Sequence, residues 1–442
     1  MTKFLPAQPS LLQLKHQAKD LLKEFRAGRQ EPLARFRENR ALGNESGAIA
    51  LSDAQMVMAR EYGFASWPKL KQHVELLNGV ETRIARLQSE FSSGDSQTRL
   101  RVLEAAHAKE RFEYYDPNAG SLSYADARLL VANQEGYAYW NKFDSFLHLD
   151  PAVQSVISAV RTGGLAELRE ILRSDPTSAN PKWVYGFTPP KPIPNDSIPL
   201  FCISEGIWRR TNQQGNGYEL TRMLIAAGAD FEAEGGIPLT AAISFDAIHV
   251  VEALLDSGAL PNGVDQDGVP MAYAMHFGFT PIAELLAERG AQLDLRFAAG
   301  SGRLELVKGW FNTDGSLKPG AGGLADPYGL EAKLQGESPF RCQRTQQNIL
   351  SQALYFACVH NKLDVADFLL SRGANINAIV PGLDSRATVL HRIATMNAGA
   401  DAVIRFLLAR GADRGIRDEV HRTTPADWAR YYQRDDAVML LR

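Results

Sequence analysis

The sequence predicts an all-α protein in which a stack of helix pairs follows a small helical module present twice. Three observations carry this reading. The closing phrase "LLSRGANINA" at residue 369 is echoed by "LIAAGADFEA" at 224, "LLDSGALPNG" at 254, "LLAERGAQLD" at 285 and "LLARGADRGI" at 407. The segments 237 to 259 and 269 to 291 align without a gap. Finally, residues 51 to 76 match residues 124 to 149 at a constant offset, pairing Asp53 with Asp126, Ala59 with Ala132, Gly63 with Gly136 and Trp67 with Trp140.

The N-terminal elements come first. Ser10 stands as an N-cap with Gln13 three residues on, and Leu11, Leu14, Ala18, Leu21, Leu22 and Phe25 form one helical stripe. Ser52 and Ser66 read as further N-caps, and Gly63 as the end of the third helix. Trp67 and Trp140 read as buried anchors at helix starts. "EFRAG" at 24 pairs with "EFSSG" at 90, so the whole module is expected twice, as residues 1–80 and 81–150.

From 151 to 442 each unit opens with an apolar helix, breaks, and runs a second helix into Gly-Ala. Pro238 and Pro270 suit a first helical turn, where the missing N–H would have no partner anyway. Gly258 and Gly290 suit a left-handed cap. These units resemble ankyrin repeats, whose opening "TPLHxA" and closing "LLxxGA" they match in degenerate form. About eight units are expected, each burying its apolar face against its neighbours, with Arg430, Arg434, Asp435 and Asp436 making the last one a polar cap. The "SxADAQxxxAREYGFxSWPxLKxHVE" pattern is similar to an N-terminal module of bacterial ankyrin-repeat proteins. The expected fold is therefore an all-α ankyrin-repeat solenoid behind a duplicated helical module.

Composition narrows the function classes. The net charge of -3 offers no global attraction for nucleic acid or an anionic membrane, and "AKERF" and "WRR" are too sparse for a nucleic-acid face. No apolar run approaches the ~18 residues of a membrane span, and the N-terminus lacks a signal-peptide core. Cys202, Cys342 and Cys358 have no metal-type spacing and read as reduced thiols, pointing to the cytoplasm. No phosphate loop, zinc helix, nucleophile elbow or paired CxxC occurs, so neither a cofactor nor a metal is expected. "GAGGLA" at Gly320 lies between prolines and reads as a loop, without the strand and helix a dinucleotide site needs. Cys358 and His360 are two residues apart, which turns them to different helix faces and argues against a nucleophile–base pair. His391 in "TVLHRI" stands where the repeat's histidine makes turn hydrogen bonds.

What remains is a surface. In ankyrin repeats the last exposed positions of the first helix are contact positions. Here they hold Arg161 and Thr162, Ser244 and Phe245, His276 and Phe277, Gly300 and Ser301, and Val359 and His360. Phe245 and Phe277 are expected to face the groove, with His276 and His360 beside them. Three insertions interrupt the units, at 181–197, 207–215 and 312–347. The first carries Trp183, Tyr185 and Phe187, and the second brings Trp208, Arg209 and Arg210 to the rim, a grouping suited to an anion or an aromatic partner. Loops of such length are usually functional or disordered. The leading expectation is a protein that binds a protein partner through groove and loops. The alternative is an enzyme or small-molecule binder with a pocket under loops 181–215 near His276.

Overall fold

The computed structural model describes residues 5–6, 9–39, 49–64, 66–107, 120–184, 187–325, 344–380, 386–396 and 399–442. Tyr185 and Cys342 lie outside them, as do residues 326–343 of the third insertion. Among the described residues every regular element is helical, with isolated β-bridges at Leu149 and Trp183 and at Phe311 and Leu317. The chain divides into two compact units, one of residues 1–159 with 166–199 and one of residues 160–165 with 200–442.

The first unit holds two small cores. Helix Leu11–Arg26 starts at Ser10, whose hydroxyl accepts from the Gln13 N–H. It packs Leu14, Ala18 and Leu21 against Val57 and Met58 of helix Leu51–Glu61 and Leu70 and Val74 of helix Trp67–Ser92. The last of these, 26 residues long, continues into the second core through Val80, Ile84, Leu87 and Phe91. The boundary expected between residues 80 and 81 thus falls inside one unbroken helix, where its buried face passes from one core to the other. Helices Leu51–Glu61 and Tyr124–Gln134 end alike. Gly63 and Gly136 take φ of 81° and 85°, and the N–H groups of Phe64 and Tyr137 donate back to Ala59 and Ala132 at 2.9 Å. Trp67 and Trp140 each pack against their own core. The N-cap expected at Ser52 is corrected: the cap is Ala50, which has no capping side chain, and its own N–H donates to Asp53 Oδ2 at 2.7 Å, the N3 half of a capping box.

From Pro151 to Leu441 the described helices come in eight consecutive pairs. The Gly-Ala ending has a physical cause. Gly228, Gly258, Gly290, Gly373 and Gly411 all have φ between 88° and 102°. The alanine that follows each donates its N–H to a carbonyl five residues back, as Ala259 does to Leu254 at 3.0 Å. Glycine adopts the left-handed turn without a Cβ clash, and the alanine closes an otherwise orphaned carbonyl. The leucines before it face inward; Leu224, Leu254, Leu286, Leu369 and Leu407 are fully buried. Truncating one of them to alanine is expected to cost about 2–5 kcal/mol.

The final pair, Pro425–Tyr431 and Asp435–Leu441, presents Arg430, Asp435 and Asp436 outward as expected of a cap, whereas Arg434 is buried, paired with Asp436 at 2.6 Å. It also exposes Tyr431 and Met439, by 82% and 67%.

Candidate functional site

The candidate site lies where the second insertion leaves helix Pro199–Trp208, within the second unit. Gly206 makes the approach possible: a Cβ there would sit 2.7 Å from the Arg161 carbonyl oxygen. The loop that follows is tied down. Asn212 N–H donates to Gly206 O at 3.0 Å, Thr211 Oγ1 to Arg161 O at 2.7 Å, and Asn216 Nδ2 to Gly163 O at 2.9 Å. Two of these bonds reach back to Arg161 and Gly163 and tie the loop to the turn they belong to.

Beneath it sits a carboxylate that sequence reasoning missed. Glu205 is buried, and its two oxygens accept from Arg161 at 2.6 Å and Arg209 at 2.9 Å. The only sequence signal is the i,i+4 spacing of Glu205 and Arg209. Above it, the Trp208 ring is 58% exposed and stacks on Phe245 at 5.2 Å between centroids. Phe245 in turn rests edge-on against buried Phe201 at 5.8 Å. The Arg209 guanidinium lies 5.8 Å from the Trp208 centroid, and Arg210 is exposed. Asp246 beside Phe245 is also exposed, and the apolar surroundings push its carboxyl above the ordinary range. The result is an aromatic step from solvent to core, flanked by cations.

The other expected residues lie elsewhere. Phe277 is half-buried, contacting Tyr273, His276 and Phe279. The expectation that His276 and His360 rim the surface is corrected, because both are buried. His276 packs against Phe277 and Tyr355. Both His360 nitrogens are engaged, Nδ1 with Thr280 Oγ1 at 2.8 Å and Nε2 with Met275 O at 2.9 Å, and burial holds the ring down at a pKa of about 4. At a helix end, a ring that bonds a backbone carbonyl and a hydroxyl of a helix pair two before its own turns inward. Cys358 is buried too, and that burial pushes its thiol up to about 12, which leaves no thiolate for nucleophilic chemistry. His391 bridges Thr388 Oγ1 at 2.7 Å and Thr423 O at 3.0 Å, making the turn bonds expected of it.

Trp183 is committed to the first unit. Its backbone bridges Leu149, its indole N–H donates to Ser145 Oγ at 3.3 Å, and Val184 beside it enters the first core. Phe187 lies flat on His148 at 4.4 Å. Trp208, Arg209 and Phe245 are therefore brought together, whereas Trp183, His276, Phe277 and His360 are not part of that cluster. Among the described residues no group of three His, Cys, Asp or Glu is placed to hold a metal ion. No described helix is long and apolar enough to cross a membrane.

A family model described as the ankyrin repeat matches residues 352–379, which cover most of helix Gln346–Val359, the whole of Leu363–Ser371 and their Gly373-Ala374 closure. Among curated proteins none matches. Solved structures similar to this chain include the ankyrin repeat domain of Bcl-3, a member of the IkappaB protein family. It is 20% identical, with 65% of this chain and 97% of that one covered, at a TM-score of 0.27. The human ASB11 ankyrin repeat domain is 22% identical over 55% of this chain and 97% of its own, at a TM-score of 0.24. Those overlaps are loose. Residues 352–379 match the ankyrin repeat and the neighbouring pairs end in the same Gly-Ala turn, so the fold is an all-α ankyrin-repeat solenoid.

Proposed function

We propose that the protein is a binding or scaffold protein that holds a protein partner on its ankyrin stack, with Trp208, Phe245, Arg209 and Arg210 as the central contact. The observation that carries this reading is the exposed Trp208 ring, presented by a hydrogen-bonded loop and backed by Phe245. An aromatic held in place loses little freedom on binding, and Trp and Arg dominate interface energetics. Phe277 and Phe279, half-buried at the aligned turn of the next repeat, are candidates for its edge. The enzyme alternative draws no support from His276, His360 or Cys358, whose burial removes them from solvent.

We further infer that segments 51–76 and 124–149 are two copies of one module, since the same cap geometry and the same tryptophan anchor recur in both. Residence in the cytoplasm remains our reading of the reduced cysteines, of which Cys202 and Cys358 are free and buried. The test is affinity capture from a cell extract with the intact protein beside a Trp208→Ala/Phe245→Ala variant of unchanged melting temperature. A protein retained by the wild type and lost by the variant supports the reading. Identical capture by both sinks this surface as the contact, and a retained metabolite without protein favours the small-molecule alternative.

A further inference from the structure

Two charges at the Trp208 surface are held there against backbone preference. Just past the first helix of its pair, Arg210 has a φ of 60°, and the next N–H, of Thr211, donates five residues back to Gly206 O at 2.9 Å. Asp246 holds the same place one pair on, with a φ of 55° and Ala247 bonded to Ala242 O at 2.9 Å. The following two pairs put Gly278 and Gly302 there, and two later ones the uncharged Asn361 and Gln433. Glycine enters the left-handed region freely, whereas a side chain there is strained. Neither charge offsets that strain within the protein. Both side chains are exposed and, among the described residues, make no hydrogen bond or ion pair.

On the same two turns sit Trp208, 58% exposed, and Phe245, stacked at 5.2 Å. Arg209, the other cation beside Trp208, is already paired with buried Glu205. The free charges flanking the rings are therefore one of each sign, on successive turns of the stack. We propose, resting on the protein-partner reading above, that the partner is a second copy of this chain, the two protomers meeting at this surface across a two-fold axis. A two-fold interface presents one patch to itself, so that patch has to be its own complement. A rotation that reverses the order of the two turns sets Arg210 against the partner's Asp246 and Asp246 against the partner's Arg210, with the Trp208 rings in the middle. A uniformly acidic or basic partner would instead bring a like charge against one of the two, which is costly once water is excluded.

The test is sedimentation of the intact protein over a wide range of concentration, beside Arg210→Asp and Asp246→Arg. Both side chains are exposed, Arg210 itself shows that arginine is accommodated in this turn, and unchanged melting curves verify that the variants fold. The wild type should form a dimer as concentration rises. Each single variant sets like charges face to face and should associate at least about tenfold more weakly. Mixed in equal amounts, the two variants should regain the dimer, because each then offers the charge the other lacks. A monomer at every concentration, a dimer that either variant leaves unchanged, or a mixture that stays monomeric would overturn the proposal. A monomeric wild type that still captures a different protein through Trp208 would sink this inference and leave the protein-partner reading standing. Should the wild type be monomeric and capture be indifferent to Trp208→Ala/Phe245→Ala, both would fall.

Discussion

Insertions 181–197 and 207–215 look alike in sequence, each an aromatic-bearing interruption of a helical repeat, yet they use their rings in opposite directions. In the first, Val184 enters a core, Phe187 lies on His148, and Lys142 pairs with buried Asp196 at 3.1 Å. In the second, the polar loop bonds satisfy the backbone while Trp208 stays in solvent. The difference teaches that aromatic content does not set direction. A ring turns inward where a neighbouring core offers an unfilled edge, and outward where the loop is anchored by hydrogen bonds alone. The described part of the third insertion follows the first pattern through a polar fastening. Fully buried Arg296 binds Asp294 at 2.7 Å and Gln352 Oε1 at 2.8 Å, and also donates to the Leu324 carbonyl.

That contrast can be broken most sharply at Arg296. Arg296→Ala leaves Asp294 buried without its cation, and the expected loss is about 3–5 kcal/mol. Chemical denaturation of the intact protein measures it; a loss below ~1 kcal/mol would show that the fastening contributes little. Trp183→Ala comes next. It removes a partly buried ring and the Ser145 bond, and about 2–3 kcal/mol should disappear from the first unit, less than for a fully buried tryptophan. Amide exchange should speed up in helices Trp67–Ser92 and Trp140–Leu147. If exchange there is unchanged, the first insertion is not an inward one.

Much of this was legible from residues. The Gly-Ala turns and the bond between His391 and Thr388 follow from short-range rules, in which one residue's backbone preference or one capping group decides the geometry. What the sequence hid depends on contacts between distant residues. Nothing local shows that Glu205 serves Arg161, 44 residues away, or that His360 reaches Thr280 and Met275 across the stack. The alignment put His276 and His360 at the same end of their helices as Phe245. It could not show that another helix pair offers His360 two hydrogen bonds and His276 the Tyr355 ring, and so draws both inside.

Acid should weaken both units through a buried imidazole in each, and substitution tells the two contributions apart. His73 is 1% exposed, has neither nitrogen hydrogen-bonded, and lies 5.7 Å from the His148 ring, which Phe187 covers. Burial first, and the neighbouring His148 second, hold it down at about 4. The unfolded chain, with an imidazole near 6.5, then binds the proton more tightly. Stability is full above that value and falls as pH drops from about 6.5 toward 4. Between pH 7 and 5 His73 should cost the first unit about 2 kcal/mol, and His360 should cost the second a similar amount. His73→Leu should flatten the acid limb of exchange in the first unit alone. A limb unchanged by that substitution would show that His73 is not its source.

The smallest effect is the most informative about direction. Trp208→Ala removes a large ring from a surface that contributes little to folding, so stability should change by no more than about 0.5 kcal/mol. Phe245 would lose a stacking neighbour but keep Phe201 beneath it. Set beside Trp183→Ala, the same substitution in a similar insertion should differ several-fold in its cost. If Trp208→Ala instead destabilises the second unit by about 2 kcal/mol or more, the ring is structural and the outward reading of the 207–215 insertion fails. If it is neutral to folding, a fixed aromatic has been held in solvent beside Arg209 for a purpose other than stability, and recognition is the use its geometry fits.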